Sequence, residues 1–379
     1  MKFYLTYAEP PSGVFSSQVM DVIHFLNKEI KGQVRLIAFI SLHDFSSNKK
    51  KIKKELPNSI VLPMLPKATF WRINAIQLWI LCLIMRPTAI IARNVIAANM
   101  ALKIKNSTFV KAVCFDGRGA IAAEWKEYDV NVVESWKREI DFLEQRAVIE
   151  SDFRIAVTEK LVDYWNRQYG YASGLHVVIP CTLNSAFQPK VTSDAEKIKA
   201  RESLGINSKD VVLAYSGSTA GWQSFSTLQS YLSPFLKQKF ENKVLFLSKP
   251  EENIQQLEKE FPGQIIQKWV SHHDVPSTLS ACDMGILIRE DSVTNQVASP
   301  TKFAEYLSAG LKVIISKNIG DYSEFVQAHQ CGIIANGQPL PTLDSVDFAT
   351  RTKMVELVNL NFTKKAQLNN YKELIKNLN

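Results

Sequence analysis

The chain has 379 residues, 46% hydrophobic and 22% charged, with a net charge of +8. That composition excludes a disordered chain, and the length calls for two cores, not one. The positive balance asks for anionic partners, with nucleotide-sugar, anionic lipid and nucleic acid as candidates; nucleic acid is the weakest of the three and is not expected, because no binding motif is present and the aromatics are not interleaved with basic residues as a stacking platform.

Five cysteines, Cys82, Cys114, Cys181, Cys282 and Cys331, are scattered without a Cys-x-x-Cys pair, which argues against zinc or a disulfide framework and for a reducing cytoplasmic setting. Met1 leads directly into a first strand over Phe3–Ala8, without the apolar core and cleavage site of a signal peptide. Glu9-Pro-Pro-Ser-Gly13 turns the chain into a helix from about Phe15 to Asn27. Gly13 is a candidate for backbone approach to a phosphate, or else a glycine of a plain strand-to-helix turn. A second strand, Val34–Ile40, precedes a basic run, Lys49–Lys54, expected in a loop. The segment 70–85 is rich in Leu, Ile and Trp and too interrupted to span a bilayer. It reads either as a buried helix or as an interfacial one, with Trp71 and Trp79 in the membrane surface and the lysine run beside them.

Short strands over 88–92 and 109–115 lead to Arg93 and to Asp116-Gly-Arg-Gly119. Polar residues at the carboxyl ends of parallel strands sit where open α/β sheets place ligands, so Arg93, Asp116 and Arg118 are expected to face one. Asp116 is a candidate base or acceptor-positioning group and Arg118 a holder of phosphate or an acidic sugar; alternatively the two pair to fix the loop. Glu124 is a further acceptor-side candidate, and the carboxylates Glu134, Glu139, Asp141, Glu144 and Glu150 are expected on a solvated helix face. Strands over 153–157 and 176–179 complete a first domain, 1–182. A second domain follows over 183–359, and a terminal helix at about 360–379 is expected to pack back on the first.

In the second half a helix over 196–204 and a strand over 211–215 lead to a loop with Gly217 and Ser218, whose glycines admit backbone amides to a ligand. A strand over 244–247 leads to Lys249, the segment 264–270 ends at Trp269-Val270, and a strand over 283–288 leads to Arg289. His272 and His273 are adjacent and diverge on a helix, so no metal is expected. The most informative stretch is Ala298–Ser316. Ser299 suits an N-cap and Pro300 the first helical position, gathering amide donors and the positive dipole end at Thr301 and Lys302. A phosphate would sit there. Lys302 and Glu305 share a face, Gly310 ends the helix, and Val313–Ile315 reads as a central parallel strand.

Pro300, Lys302, Glu305 and Gly310, with Ser308-Ala309 between, resemble the donor-nucleotide signature of GT-B glycosyltransferases, especially the retaining family four, in which Pro-x-Lys-x-x-Glu-x-x-Ala-x-Gly precedes a hydrophobic strand. The chain departs from the pattern at Val297, where the family carries a second Glu, and at Lys312, where it carries Pro. The loop that usually supplies an Arg and a Lys to the diphosphate has Ser218, Thr219, Trp222 and Gln223 instead. The resemblance implies an α/β GT-B fold, two Rossmann-like parallel-sheet domains facing an inter-domain cleft. It also implies transfer of a sugar from a nucleotide-sugar, UDP favoured, to a carbohydrate or lipid-linked acceptor without a metal. Glu305 would hold the ribose, Lys302 the diphosphate, and backbone at Trp269-Val270 the base. Gly13 and Gly217 would approach the donor, and Lys249 and Arg289 would replace the missing cations. The rival expectations are a nucleotide-sugar epimerase on the same fold and a non-catalytic scaffold of a membrane assembly complex.

Overall fold

The computed structural model describes residues 1–128, 134–217, 225–271 and 273–379. It divides into two compact units, the first formed by 1–184, 297–299 and 364–379, the second by 185–296 and 300–363.

The first unit is built on an all-parallel sheet of seven strands among the described residues: β1 Lys2–Tyr7, β2 Val34–Ile40, β3 Ile60–Pro63, β4 Ala89–Arg93, β5 Ala112–Asp116, β6 Phe153–Ala156 and β7 His176–Val178, in the order β3-β2-β1-β4-β5-β6-β7. Their near-continuous apolar runs are those of strands covered on both faces. Side chains alternate, so the two faces can be told apart. Tyr4, Leu36, Ala38, Ile40 and Val61 join one buried cluster with Ile23 and Leu26 of helix Asp21–Glu29, Ile52 of helix Phe45–Glu55, and Tyr371 and Leu374 of helix Leu368–Asn377. Tyr7, of the opposite parity, instead accepts a hydrogen bond from Asn74 of helix Trp71–Met85. Helix Trp71–Met85 therefore lies on the face of the sheet opposite to those three helices.

Several expectations change here. The lysine run is not a loop; it forms the outside of helix Phe45–Glu55, whose one buried residue is Ile52. Trp71 is buried, so only Trp79 of the two tryptophans is presented to solvent. Glu144 is fully buried, unlike its expected solvated neighbours. The helix after β1 begins at Gly13 and runs through a π-helical segment, Ser16–Met20, into Asp21–Glu29. Lys364 is buried with its Nζ 2.5 Å from Asp21 and 2.9 Å from the Leu183 carbonyl, which ties the terminal segment into this unit.

The second unit holds six parallel strands among the described residues: β8 Val211–Ser216, β9 Asn242–Leu247, β10 Ile265–Gln267, β11 Met284–Leu287, β12 Lys312–Ser316 and β13 Gly332–Ala335, ordered β10-β9-β8-β11-β12-β13. Helix Thr301–Ser308 is anchored by Phe303, fully buried, whose ring meets Tyr322, Phe325 and Phe362 at centroid distances of 4.8, 5.8 and 5.4 Å. Such edge-to-face clusters add to the area they bury, so the orientation of this helix is strongly held.

Candidate functional site

In the second unit Gly217, Lys249, Trp269 and Arg289 follow the carboxyl ends of β8, β9, β10 and β11, the position at which open parallel sheets offer ligand sites. Ser218 lies outside the described residues, as do Thr219, Trp222, Gln223 and His272. Gly217 has φ +140°, a conformation that glycine adopts readily. Its amide reaches the Leu247 carbonyl at 3.3 Å. Arg289 is fixed twice: its Nη1 donates to Asn295 Oδ1 at 3.3 Å, and the Ser316 hydroxyl accepts from its amide at 2.8 Å and donates to its carbonyl at 2.9 Å. Trp269 is 64% exposed, with Lys249 Nζ 5.6 Å from its ring centre, while Val270 is half-buried beside it. An open ring face with a cation on it suits a planar, electron-rich group.

The helix that carried the signature starts at Thr301 with buried Pro300 as its cap residue, and no side chain caps it. The N-cap expected at Ser299 is therefore not made. The Ser299 Oγ accepts from the Cys181 amide at 2.8 Å, within the first unit. Pro300 itself offers no capping side chain, so the partial positive charge of the helix start lies beside Lys302. Beside it, Lys302 Nζ lies 2.8 Å from Glu305 Oε2, the lysine half-exposed and the carboxylate largely buried. A ligand with both phosphates and a diol can exchange this pair for two others, lysine to phosphate and carboxylate to hydroxyls.

Tyr306, which the sequence did not single out, organises the surroundings. Its ring is fully buried under β11, where a Cβ at Gly285 would come within 2.2 Å of it, and its hydroxyl accepts from the Ser216 amide at 2.9 Å. The side chain next to Glu305 thus holds the mouth of the glycine loop.

In the first unit Arg93, Asp116 and Arg118 do come together. Asp116 has 0% exposure. Arg118 Nε is 2.7 Å from its Oδ1 and Nη2 2.9 Å from Oδ2, the Tyr4 hydroxyl donates to Oδ2, and Arg93 Nη1 stands 3.9 Å away. Arg93 Nε pairs with Glu9 at 2.8 Å, and Asn94 donates to Glu9 at 3.0 Å. Asp116 is thus enclosed by Arg118 and Tyr4 in this arrangement. The pairing alternative describes it, with Asp116 holding the Arg118 loop. Gly117 is required there, since a Cβ would meet the Trp165 ring at 2.5 Å. Gly13 is exposed at the helix start, behind Ser12, whose Oγ accepts from the Phe15 amide at 3.2 Å.

Glu124 is half-buried, and burial raises its pKa. The stronger case is Glu144. Its oxygens accept from the Ile121 and Ala122 amides at 3.0 Å each and from the Tyr169 hydroxyl at 2.9 Å, so it caps the helix that follows the Arg118 loop. Burial pushes it up to about 7 despite those donors. A carboxyl raised on folding stabilises when protonated: its contribution is complete below the unfolded value near 4.5 and is lost as pH rises through about 7. The difference in unfolding free energy between wild type and Glu144→Gln should therefore shrink or reverse between pH 4.5 and 7.5, by roughly 3 kcal/mol at most. A flat difference in urea unfolding across that window would show the carboxylate to be accommodated as an anion.

No protein-family model and no curated protein matches the sequence. Solved structures do. A glycosyltransferase from Rickettsia africae superposes with TM-score 0.70 at 15% identity, over 100% of this chain and 98% of that one. The lipopolysaccharide outer core galactosyltransferase WaaB gives 0.66 at 12%, over 100% and 99%. Anabaena HepE, solved with UDP and glucose, gives 0.64 at 12%, over 100% and 93%. A putative UDP-N-acetylglucosamine 2-epimerase from Listeria monocytogenes matches less well, TM-score 0.53 at 10%, over 99% and 90%. Two all-parallel α/β units, matched along their whole length by these enzymes, give the chain the GT-B fold of glycosyltransferases.

Proposed function

We propose that the chain is a glycosyltransferase that moves a sugar from a nucleotide-sugar, a UDP-sugar favoured, to a carbohydrate or lipid-linked saccharide acceptor in surface polysaccharide or glycoconjugate assembly, working at the cytoplasmic side. The observation that carries this reading is the Lys302–Glu305 pair at the uncapped start of helix Thr301–Ser308. Glu305 takes the ribose hydroxyls. Lys302, the amides of Thr301 and Lys302, and Arg289 take the diphosphate, and stabilise the negative charge that develops on it as the glycosidic bond breaks. Trp269-Val270 takes the base, with Lys249 beside it. On the acceptor side, Glu124 offers a carboxyl group, while Arg93 and Arg118 are held by Glu9 and Asp116. Fixed cations that neutralise the leaving group make a metal ion unnecessary. The burial of Asp116 against Arg118 and Tyr4 counts against it as the base of an inverting route. This supports a retaining outcome. UDP is favoured because HepE, of the same fold, was solved with it.

A thermal-shift titration against UDP, GDP, CMP and dTDP, with and without chelator, tests the reading. One nucleotide should stabilise the protein regardless of chelator, and Glu305→Ala should weaken its binding by about tenfold to a hundredfold, the loss of charge-assisted hydrogen bonds. Binding that survives both Lys302→Ala and Glu305→Ala would sink the site, and no response to any nucleotide would favour the scaffold instead. The epimerase fold neighbour gives the second reading, which product analysis separates: an epimerase converts the nucleotide-sugar with no acceptor added.

A further inference from the structure

We propose that the first unit seats on an anionic lipid surface through the outer face of helix Trp71–Met85, and that the lysine-rich helix Phe45–Glu55 takes no part. The first helix is apolar on both sides. Its buried side is Trp71, Asn74, Ala75, Leu78 and Cys82. Asn74, the most polar of these, is satisfied there: it accepts from the Leu65 amide at 2.8 Å and donates to the Tyr7 hydroxyl at 3.1 Å and the Phe70 carbonyl at 3.0 Å. Its solvent side carries Ile73, Ile76, Trp79, Ile80 and Ile84, exposed by 50, 55, 37, 48 and 73%. Spacings of three and four place the isoleucines on a single stripe. Phe70, 44% exposed, extends it at one end, and at the other Arg86 lies over the exposed Phe109 ring at 4.7 Å. Contiguous exposed apolar surface of this kind marks an interaction site.

Charge selects the occupant. Residues 56–115, which include this helix and both flanking strands, contain seven Lys or Arg and no Asp or Glu. Arg72 of this helix is paired with Glu139 at 2.9 Å, while Lys67, Arg86, Lys103 and Lys111 are exposed. A second copy of the chain would bring two cationic surfaces together, whereas acidic headgroups complement them, and an aliphatic stripe with Trp and Phe at its borders suits the headgroup boundary. With the turn before it, the segment Ala68–Met85 is long and apolar enough to cross a bilayer. Packing forbids that, because the inner side is held on the sheet and both ends run into its strands β3 and β4. The helix lies on the membrane and does not cross it. Helix Phe45–Glu55 covers the opposite face of the same sheet, so its lysines are not on this surface.

The proposal does not rest on the transferase reading, and it is tested on protein without nucleotide, so either can fail alone. Flotation with vesicles of phosphatidylcholine, with and without phosphatidylglycerol, compares wild type with the Ile76→Ser/Ile80→Ser/Ile84→Ser and Lys50→Gln/Lys51→Gln variants. Circular dichroism confirms that each folds. Wild type should float with the anionic vesicles and much less with neutral ones, and added salt should weaken it. The triple variant should bind about tenfold or more weakly, from the apolar area removed, and the lysine pair should bind as wild type. Failure of wild type to bind, undiminished binding by the triple variant, or loss of binding in the lysine variant would each overturn the proposal. So would a dimer in light scattering that the triple variant abolishes while no vesicle binding is seen.

Discussion

Asp116→Ala should lower the stability of the first unit by about 3–5 kcal/mol, the scale for removing one member of a buried ion pair. The carboxylate has 0% exposure and is the counter-charge of Arg118, with Arg93 3.9 Å off. Arg93 retains Glu9, but Arg118 has no other ion pair among the described residues, so truncation leaves a guanidinium desolvated beside a second one. Water cannot easily repair this, because Tyr4 and the Trp165-backed Gly117 close the site. Asp116→Asn should cost less, since its carbonyl oxygen still accepts from Tyr4 while its amide opposes Arg118. The pair of variants separates structure from chemistry. If Asp116 were a proton acceptor, the Asn variant would fold normally and lose turnover. The expected result is the reverse: reduced stability in urea unfolding, with turnover per folded molecule retained.

Gly285→Ala should have the next largest effect, about 3 kcal/mol, at the upper end for overpacking a core. The added Cβ would lie 2.2 Å from Tyr306 Cγ and Cδ2, and the ring has 1% exposure and nowhere to retreat. Any movement of the ring also releases the Ser216 amide and shifts the residue beside Glu305, so nucleotide affinity should fall together with stability. Tyr306→Phe provides the control. It keeps the ring, leaves one buried amide unsatisfied at about 1–3 kcal/mol, and should leave Glu305 in place. A second control, Gly285→Ala combined with Tyr306→Ala, removes the clash, and the two changes should then be far from additive. Additive losses would show that the ring is not what the glycine accommodates.

The strands and the donor-side helix were legible in the sequence because their signals are local. Val34–Ile40 and Val313–Ile315 are apolar, β-branched runs of strand length, and Pro300, Lys302, Glu305 and Gly310 fall at spacings set by one helix. Gly310 has φ +81° at the helix end, as a terminating glycine should. What failed to show was the fate of individual polar groups. Ser299 has the right identity and spacing for an N-cap, yet its hydroxyl is taken by the Cys181 amide, 118 residues away in sequence. Glu144 sits among surface-type residues on its helix and is buried because two amides near Ile121 need an acceptor. Lys197 and Arg201, within the helix expected over 196–204, are both buried on Asp283, at 2.7 Å each.

The sequence by itself determined the alternation of strands and helices, the two cores, and the placement of cation and carboxylate on one helix face, since periodicity and capping chemistry act over a few residues. Tertiary structure alone decided which charged side chains are buried, that Asp116 is paired with Arg118, and that the lysine run and the isoleucine stripe lie on opposite faces of one sheet. Those outcomes depend on partners brought together from distant parts of the chain. A desolvated charge is tolerated only where such a partner arrives, and no local pattern records it.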